Sequence, residues 1–149
     1  MKKVVLIDNR LLHGQVAIQW CGHLNIDKVV VVNDLVIEDN IRKNLMKLSM
    51  PSYATLTFST IDSFVYDEDA FIVCETPQDV LRLVNKGIKF DKICIGNMHM
   101  SEGKTQVANY VAVDENDIQT FNELKEKNIE IEIRRLPEIA SEDTFKLFK

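Results

Sequence analysis

The sequence predicts a single-domain α/β protein over residues 1–149, with a doubly wound, mainly parallel sheet, helices on both faces and an antiparallel edge strand. Three observations lead to this prediction. Short apolar runs recur along the chain, segments of helical periodicity separate them, and no linker of domain scale interrupts the series. Continuous apolar runs are typical of strands buried on both faces of a parallel sheet. Their alternation with helices is typical of layered α/β folds.

The first half of the chain alternates three strands with two helices. Apolar runs predict strands over 4–7, 28–32 and 54–58. A helix is predicted over 15–23, and its apolar face is expected to hold Val16, Trp20 and Leu24. At this spacing Trp20 should pack in the core or at the edge of the domain rather than stack against a ligand.

The second helix is predicted from its boundaries and its periodicity. Asp39 is expected to cap it, and Pro51 to halt it. Apolar residues recur between these two positions at helical spacing, and we expect them to form a buried stripe: Ile41, Leu45 and Leu48.

The third helix has the clearest boundaries. It follows a fourth strand over 70–74. Thr76 supplies a capping side chain, Pro77 suits the first helical position, Asp79 places an acid in the first turn, and Gly87 closes the helix. A fifth strand is predicted over 92–96, followed by a polar loop.

The last third is predicted to hold two short strands over 107–113, a long helix, an edge strand and a terminal helix over 141–148. The long helix should begin after Asp114 and stop at Asn128 in a left-handed conformation. Its inward residues should be Ile118, Phe121 and Leu124. Over 129–133 apolar and charged residues alternate, which is typical of a strand with one face in water at the edge of a sheet.

Composition limits the classes of partner. The chain is 46% hydrophobic and 28% charged, as is ordinary for a globular protein. Its net charge is −5. Nucleic-acid binding requires clustered positive charge, so we expect no nucleic-acid partner.

The cysteines and the first residues indicate a cytoplasmic protein. Cys21, Cys74 and Cys94 are odd in number and far apart, which fits buried free thiols in a reducing compartment. The apolar run 4–7 stops at Asp8 and is too short for a signal peptide. No stretch approaches the 18 apolar residues of a membrane span, so membrane association would come through a partner.

The first strand ends in a turn that brings together a carboxylate, an arginine and a histidine: Asp8-Asn9-Arg10-Leu11-Leu12-His13-Gly14-Gln15. Ligands of open α/β sheets bind beyond the carboxyl ends of the strands, where a helix N-terminus favours an anion. The imidazole of His13 could attack phosphorus, and Arg10 could hold the phosphate oxygens. The alternative is a surface histidine beside a solvated arginine.

The neighbours of His13 suit the same chemistry. Gly14 lets a backbone or a bulky anion come close, and Gln15 could donate a hydrogen bond from the first helical turn. Asp8 could orient either the imidazole or the arginine. Asp34 and Ser59 follow two further strands and could border the same crevice. Their alternatives are a turn-forming Asn-Asp pair and an N-cap, which Thr60 could also supply.

Other constellations have little support. The spacing of His13, His23 and His99 matches no metal motif, so we expect neither a metal nor a cofactor. The sequence Gly103-Lys104-Thr105 lacks the upstream glycine of a nucleotide-binding loop. No serine lies in a G-x-S-x-G elbow, which disfavours hydrolase chemistry.

The motif around His13 resembles that of one family, the IIB components of the mannose/fructose/sorbose family of the sugar phosphotransferase system. The resemblance begins at Ile7-Asp8-Asn9-Arg10-Leu11-Leu12-His13-Gly14-Gln15-Val16 with Trp20, and continues through Val30-Val31-Val32-Asn33-Asp34, Pro77-Gln78-Asp79-Val80-Leu81-Arg82-Leu83-Val84, Ile95-Gly96 and Glu102-Gly103-Lys104-Thr105-Gln106. It therefore covers nearly the whole chain in order.

The chain departs from the family pattern at three positions. Asn9 stands where the family usually has a second acid, Asn97 where it has a second glycine, and His99 where it has an apolar residue. His99 would either line the site or face solvent. These departures resemble branches that handle amino sugars such as N-acetylgalactosamine.

The resemblance implies a protein-N(pi)-phosphohistidine–sugar phosphotransferase. His13 would accept a phosphoryl group from a IIA phosphocarrier protein and pass it to a sugar, with IIC and IID as membrane partners. A homodimer and peripheral association with the membrane transporter are also implied. Two alternatives remain: a non-catalytic module that binds an anionic small ligand at the strand ends, and a purely structural subunit of the transporter.

Overall fold

The computed structural model describes residues 3–66 and 68–148. Six parallel strands form one sheet in the order β3-β2-β4-β1-β5-β8. Their bounds are β1 Lys3–Asp8, β2 Lys28–Val32, β3 Thr55–Ser59, β4 Ala70–Cys74, β5 Lys92–Asn97 and β8 Glu130–Ile133. A separate antiparallel ribbon joins β6 Thr105–Ala108 to β7 Val111–Val113. Since all six strands run the same way, their carboxyl ends meet along one edge.

Two helices cover each face of the sheet. Helices α1 Gly14–Leu24 and α2 Asn40–Leu48 contribute to one apolar core together with the even-numbered side chains of β1. Helices α3 Pro77–Asn85 and α4 Glu115–Glu126 contribute to the other, together with the odd-numbered side chains. Both central strands, β1 and β4, are buried on both faces. Their continuous apolar sequences follow from this double burial.

The predicted fold class is confirmed, with one correction at the edge. Strand β8 does lie at the edge of the sheet, but it runs parallel to its neighbour β5. The reason is the α4 crossover, which returns the chain to the amino end of the sheet before β8 begins. Antiparallel pairing occurs in the β6–β7 ribbon and in an isolated bridge between Ile133 and Glu142.

The buried stripe predicted for α2 is wrong. Ile41, Leu45 and Leu48 are 77%, 63% and 82% exposed. The side of α2 that faces the sheet carries Met46, which is buried. Asp39 caps α2 as predicted, its carboxylate accepting a hydrogen bond from the backbone N–H of Arg42.

The predicted terminal helix is also wrong in extent. Only a short 3-10 helix forms, at Phe145–Phe148. The backbone N–H of Glu142 donates to the carbonyl of Ile133, which draws the preceding residues into an extended bridge along β8. Trp20 packs in the core as predicted, stacked on Phe71, and its indole N–H donates to the carbonyl of Arg135.

The predicted helix boundaries elsewhere are confirmed. The Thr76 side chain caps α3, and Gly87 follows that helix with φ +107°. Asp114 caps α4 in a capping box with Asp117, and Asn128 takes the left-handed conformation with φ +62°. These residues act through local backbone geometry, which is why short sequence patterns predict them.

Candidate functional site

The turn between β1 and α1 has a fixed backbone. The N–H of Leu11 donates to the carbonyl of Asp8 at 2.9 Å, which closes a four-residue turn. Leu11 has φ +61°, in the left-handed region that β-carbons disfavour. Its side chain and that of Leu12 are buried in the core beneath α1. Burial of these two leucines therefore holds the turn in this conformation.

Asp8 stands at the centre of the turn and is fully buried. One carboxylate oxygen, Oδ2, lies 3.2 Å from Nε2 of His13. The other, Oδ1, accepts from the backbone N–H of Arg10 at 2.9 Å and from its Nε at 3.3 Å. Asp8 therefore orients both His13 and Arg10, although the sequence predicted only one or the other.

His13 combines this contact with access to solvent. Its side chain is 32% exposed. A proton on Nε2 satisfies the hydrogen bond to the Asp8 carboxylate, and that tautomer leaves a lone pair on Nδ1. Arg10 is half exposed, so its guanidinium can contact both Asp8 and a bound group in front of His13.

His13 is also the N-cap residue of α1. Its carbonyl accepts from the N–H groups of Val16 and Ala17, but its side chain makes no capping hydrogen bond. The N–H groups of Gly14 and Gln15 precede the first intrahelical bonds, so they are available to an anion. Gln15 is exposed in this first turn.

Gly14 permits a close approach of backbone, one of the two roles predicted for it. A β-carbon at this position would lie 2.4 Å from the carbonyl oxygen of Ser49, the C-cap residue of α2. Gly14 therefore brings the end of α2 directly against the start of α1.

Asp34 lies on the same edge of the sheet but has other partners. Its carboxylate accepts from the backbone N–H of Ile61 at 2.9 Å and pairs with Arg82 at 3.0 Å. The Ile61 hydrogen bond and the Arg82 charge lower the pKa of this carboxyl below its usual range. Strand β4 separates β2 from β1, so Asp34 and His13 are not brought together.

Ser59 lies farther away. It ends β3, the edge strand, three strands from β1. That separation is roughly 14 Å at the usual strand spacing. Its hydroxyl donates to the carbonyl of Thr60, whose own hydroxyl accepts from the N–H of Ser63. The structure therefore gives capping to Thr60 and does not bring Ser59 to His13.

The family described as the PTS system sorbose subfamily IIB component matches this chain over residues 2–149.

The chain belongs to this family.

Similar proteins share nearly the whole of this IIB chain. It is 38% identical to the N-acetylgalactosamine-specific phosphotransferase enzyme IIB component 2 of Escherichia coli, over 99% of each protein. It is 38% identical to the PTS system mannose-specific EIIAB component of the same species, over 87% of this chain and 43% of that one. The crystal structure of the IIBSor domain of the sorbose permease from Klebsiella pneumoniae is 29% identical, with a TM-score of 0.90 over 99% and 96% of the two chains.

Membership places the protein among components of sugar transporters. IIB components are phosphotransferases in general. They work with IIA and with the membrane components IIC and IID in sugar uptake. Across residues 3–66 and 68–148, no helix is long and apolar enough to cross a membrane.

Asn9, Asn97 and His99, the three expected departures from the family pattern, meet in space. The backbone N–H of Asn9 donates to the carbonyl of Asn97 at 3.0 Å, and the Asn9 side-chain oxygen accepts from the backbone N–H of His99 at 2.5 Å. Asn97 is buried, whereas the His99 side chain is exposed. Asn9 thus ties the loop that carries Arg10 and His13 to the loop after β5.

Two polar residues at the carboxyl edge of the sheet were not predicted from the sequence. Glu75 directly follows Cys74, the β4 residue that pairs with Ile7 of β1; its carboxylate accepts from the side-chain amide of the buried Asn33 at 2.9 Å. Arg135 lies just beyond β8, with its guanidinium 4.6 Å from the ring centroid of Tyr110. Both follow predicted strands, so the rule that selected Asp34 and Ser59 could have found them.

The other residues considered in the sequence have structural contacts or do not form a site. Cys21, Cys74 and Cys94 are buried free thiols, as predicted; burial raises the pKa of Cys21 to about 11 and of Cys94 to about 12. Lys104 donates to the buried Asp117 carboxylate at 2.7 Å, which anchors its loop to α4. Among the residues that the structure describes, no cluster of three His, Cys, Asp or Glu side chains could hold a metal ion.

Proposed function

We propose that this chain is a phosphocarrier and sugar phosphotransferase, in which His13 accepts a phosphoryl group from phospho-IIA and passes it to a sugar. One observation carries the proposal. The imidazole of His13 lies at the open N-terminus of α1, and a fully buried carboxylate, Asp8, fixes one of its nitrogens. Family membership supports the same chemistry.

The contact with Asp8 selects the reacting nitrogen. Because Nε2 carries the proton that Asp8 accepts, Nδ1 is the nucleophile. In the first step the Nδ1 lone pair attacks phosphorus, a new N–P bond forms, and the N–P bond of the donor phosphohistidine breaks. In the second step a sugar hydroxyl attacks, the Nδ1–P bond breaks, and the hydroxyl proton is released.

Arg10 and the helix N-terminus stabilise the transferring group. The Arg10 guanidinium is already oriented by Asp8 at Nε and, at 3.4 Å, at Nη2, so its outer N–H groups can receive phosphoryl oxygens. The N–H groups of Gly14 and Gln15 receive others, and no acid competes for the first turn of α1. Such transfers depend mainly on positioning and charge neutralisation.

The partners follow from the class of component. The donor is a IIA phosphocarrier protein, and the acceptor sugar is presented by IIC and IID at the membrane. The relative named EIIAB joins the A and B functions in one polypeptide, which fits transfer between them. We place the protein in the cytoplasm, as a homodimer that associates peripherally with the transporter. The proposed transfer requires no cofactor or metal.

We propose an amino sugar as the substrate. The support is the match to the N-acetylgalactosamine-specific IIB component over 99% of both chains. The phosphorylated protein should then lose its phosphoryl group faster to N-acetylgalactosamine than to mannose or fructose, with membranes that contain IIC and IID. Preferential discharge by mannose would contradict this assignment.

Intact-mass analysis tests the proposal. The protein is incubated with phosphoenolpyruvate, the general phosphotransfer proteins and the cognate IIA. Wild type should gain one acid-labile phosphoryl group, and His13→Ala none, while both keep the same circular dichroism spectrum. Gly22→Ala, in the same helix with open space around its α-carbon, is the control that should be phosphorylated normally.

A mass gain on wild type would exclude both alternatives, and assembly with IIC and IID would distinguish one alternative from the other. A non-catalytic module would bind phosphate compounds reversibly and gain no covalent mass. A structural subunit would assemble with IIC and IID whether or not His13 is present. Absence of any mass gain in the presence of an active IIA would therefore overturn the proposed function.

A further inference from the structure

Strand β5 has an irregular register beside the end of β1. Up to Ile7 the pairing of the two strands is regular, and Asp8 then pairs with Asn97. Gly96 is therefore an extra residue on β5, a bulge of a kind that is rare between parallel strands. A β-carbon on Gly96 would lie 3.0 Å from the Leu6 side chain, so glycine suits this position. Bulges beside active sites re-aim the residues around them, which directs attention to the contacts at the end of β1.

Asn9 bonds twice to the segment that follows this bulge. Its backbone N–H donates to the carbonyl of Asn97 at 3.0 Å, and its side-chain oxygen accepts from the backbone N–H of His99. Between these two partners, Met98 is bonded to the β6–β7 ribbon through both its N–H and its carbonyl. The anchor that Asn9 contacts is therefore itself held in regular structure.

Asn9 differs from the asparagine that follows β2. Asn33 directly follows that strand, and its side-chain oxygen accepts from the backbone N–H groups of Leu35 and Val36. Its side-chain oxygen thus closes its own turn. Asn9 directly follows β1, but its side-chain oxygen bonds to His99, 90 positions further along the chain. Asn9 therefore couples the β1–α1 turn to β5 instead of closing a turn.

The β1–α1 turn is held on both sides of Arg10. After Arg10, two buried leucines fix the turn to the core. Before Arg10, the Asn9 side chain fixes it to the segment after β5. The peptide between Asn9 and Arg10 carries the N–H that donates to Oδ1 of Asp8 at 2.9 Å. The orientation of this peptide therefore sets the position of the Asp8 carboxylate, whose Oδ2 lies 3.2 Å from Nε2 of His13.

We propose that Asn9 is a positioning residue for phosphoryl transfer to His13; this inference rests on the function proposed above. Asn9 acts through the peptide that joins it to Arg10 and through Asp8. While its side chain is held, the Asp8 carboxylate keeps the proton on Nε2 of His13, and Nδ1 stays free to attack phosphorus. Without this bond the peptide turns more freely, the contact of Asp8 with His13 weakens, and part of the population takes the tautomer with the proton on Nδ1. That tautomer cannot attack through Nδ1.

Two measurements test this role. The rate of His13 phosphorylation at varied concentrations of cognate phospho-IIA gives kcat and KM. Nitrogen NMR of protein with labelled histidine, under conditions where the imidazole is neutral, gives the tautomer of His13 without any donor. His13→Ala assigns the signals by their loss. Asn122→Ala is the matched control, because it removes another asparagine side chain that bonds to backbone, from α4 on the opposite face of the sheet.

We expect kcat for phosphorylation to fall about 10-fold in Asn9→Ala, because a small misplacement of the reacting group slows transfer. KM for phospho-IIA should stay within about twofold of wild type, since binding of the donor is not the step affected. The tautomer with the proton on Nδ1 should appear in the NMR spectrum of Asn9→Ala. Asn9→Asp keeps an oxygen that accepts from His99, so it should restore the wild-type tautomer. Asn122→Ala should match wild type in both measurements.

The donor of the bond is tested at His99. His99→Pro removes the backbone N–H, whereas His99→Ala keeps it and removes only the imidazole. Met98 is extended in its bridge to Val111, the conformation favoured before a proline. We expect His99→Pro to reproduce the losses of Asn9→Ala, and His99→Ala to match wild type. The double variant Asn9→Ala with His99→Pro should lose no more than either single variant, because both remove the same bond.

Other outcomes would overturn the inference. Unchanged kcat in Asn9→Ala, or an equal fall in Asn122→Ala, would remove Asn9 from the transfer step. Slower transfer with the wild-type tautomer would show that Asn9 does not act through Asp8, and an equal loss in His99→Ala would assign the effect to the imidazole. Wild type that stays unphosphorylated at every donor concentration would overturn the proposed function and this inference with it. Normal phosphorylation of both wild type and Asn9→Ala would overturn the inference alone.

Discussion

The N-terminus of α1 differs from those of α3 and α4. Thr76 caps α3 through its hydroxyl, and Asp114 caps α4 in a reciprocal box with Asp117. At α1 the capping position holds His13, whose side chain turns away to Asp8 and makes no capping bond. Asp39 likewise caps α2, so three of the four α-helices in the part of the chain that the structure describes satisfy their own first turns and α1 leaves its first turn open.

This difference separates stability from function within one fold. A capped N-terminus uses its free N–H groups internally and gains about 1 kcal/mol. An uncapped one forgoes that stabilisation and keeps the N–H groups for an incoming anion. The open end occurs at the helix that begins with His13, beside Arg10, whereas α2 on the same face and α3 and α4 on the opposite face are all capped.

Among variants that keep His13, the largest expected effect on transfer comes from Arg10→Lys, which changes the open end alone. A lysine keeps the charge but loses the fork that contacts Asp8 and phosphoryl oxygens together. We expect phosphorylation of His13 to slow by about 10-fold to 100-fold, as for loss of one charge-stabilising donor. Rapid-quench kinetics with phospho-IIA measures this, and Arg42→Lys on α2 is the matched control. Equal rates for Arg10→Lys and wild type would remove Arg10 from the transfer step.

Gly14→Ala and Gly22→Ala apply one substitution to the two ends of α1. At Gly14 the new methyl group would meet the Ser49 carbonyl at 2.4 Å, so the helices must separate, and we expect a loss of about 1–3 kcal/mol. At Gly22 nothing lies within 4 Å, and alanine in a helix should gain about 0.5–1 kcal/mol. Urea unfolding measures both, and the same sign at both positions would contradict the close approach of α2.

Installing a cap at α1 should convert the open end to a closed one. His13→Ser and His13→Ala both remove the imidazole, so their difference isolates the cap. We expect His13→Ser to be more stable by about 1 kcal/mol in chemical denaturation, and Asp114→Ala to lose about the same amount from α4. Both position-13 variants should be inactive in transfer. Identical stability of the serine and alanine variants would mean that the α1 terminus is already satisfied.

The smallest effect is a pH dependence at the closed end of α4. Burial alone would raise the pKa of the Asp117 carboxyl, but hydrogen bonds from Lys104 and Gln78 outweigh it and lower that pKa. A lowered pKa contributes stability above the unfolded value of about 3.9, and this is lost as pH falls through the folded value. The stability difference between wild type and Asp117→Asn should therefore shrink below about pH 4.

Denaturation between pH 3 and pH 7 measures this difference, with the exposed Glu115→Gln as the control in the same helical turn. A difference that stays constant across the whole range would show that the Asp117 charge does not contribute to folding. The comparison between the two kinds of helix end would then rest on the caps alone.

Local chemistry allowed the sequence to predict most of the fold. The apolar run of β1 and the Thr76-Pro77 start of α3 each depend on a few neighbouring residues. The α2 prediction failed because periodicity identifies the most apolar side of a helix and not the side that meets the sheet. Leu45 lies on the apolar side, but Met46 faces the core.

The candidate site was predictable where its parts are close in sequence. Asp8, Arg10 and His13 fall within six positions, so one turn could bring them together. The contacts of Asn9 with Asn97 and His99 join residues about ninety positions apart, and only the pairing of β1 with β5 brings them into contact. The distance between two residues on the same edge of the sheet likewise depends on strand order, which the sequence does not reveal. Ser59 was therefore predicted to lie near His13, although two strands separate β3 from β1.

The left-handed backbone of Leu11 has a consequence for when the loop is ordered. A leucine in this conformation costs roughly 1–2 kcal/mol, and it persists here because its side chain is fully buried. The conformational entropy of the loop from Asp8 to His13 is therefore lost when the chain folds, before any partner arrives. A partner that docks at this loop therefore does not have to order it, and a short peptide with the same sequence from Asp8 to Gln15 would lack this preorganisation.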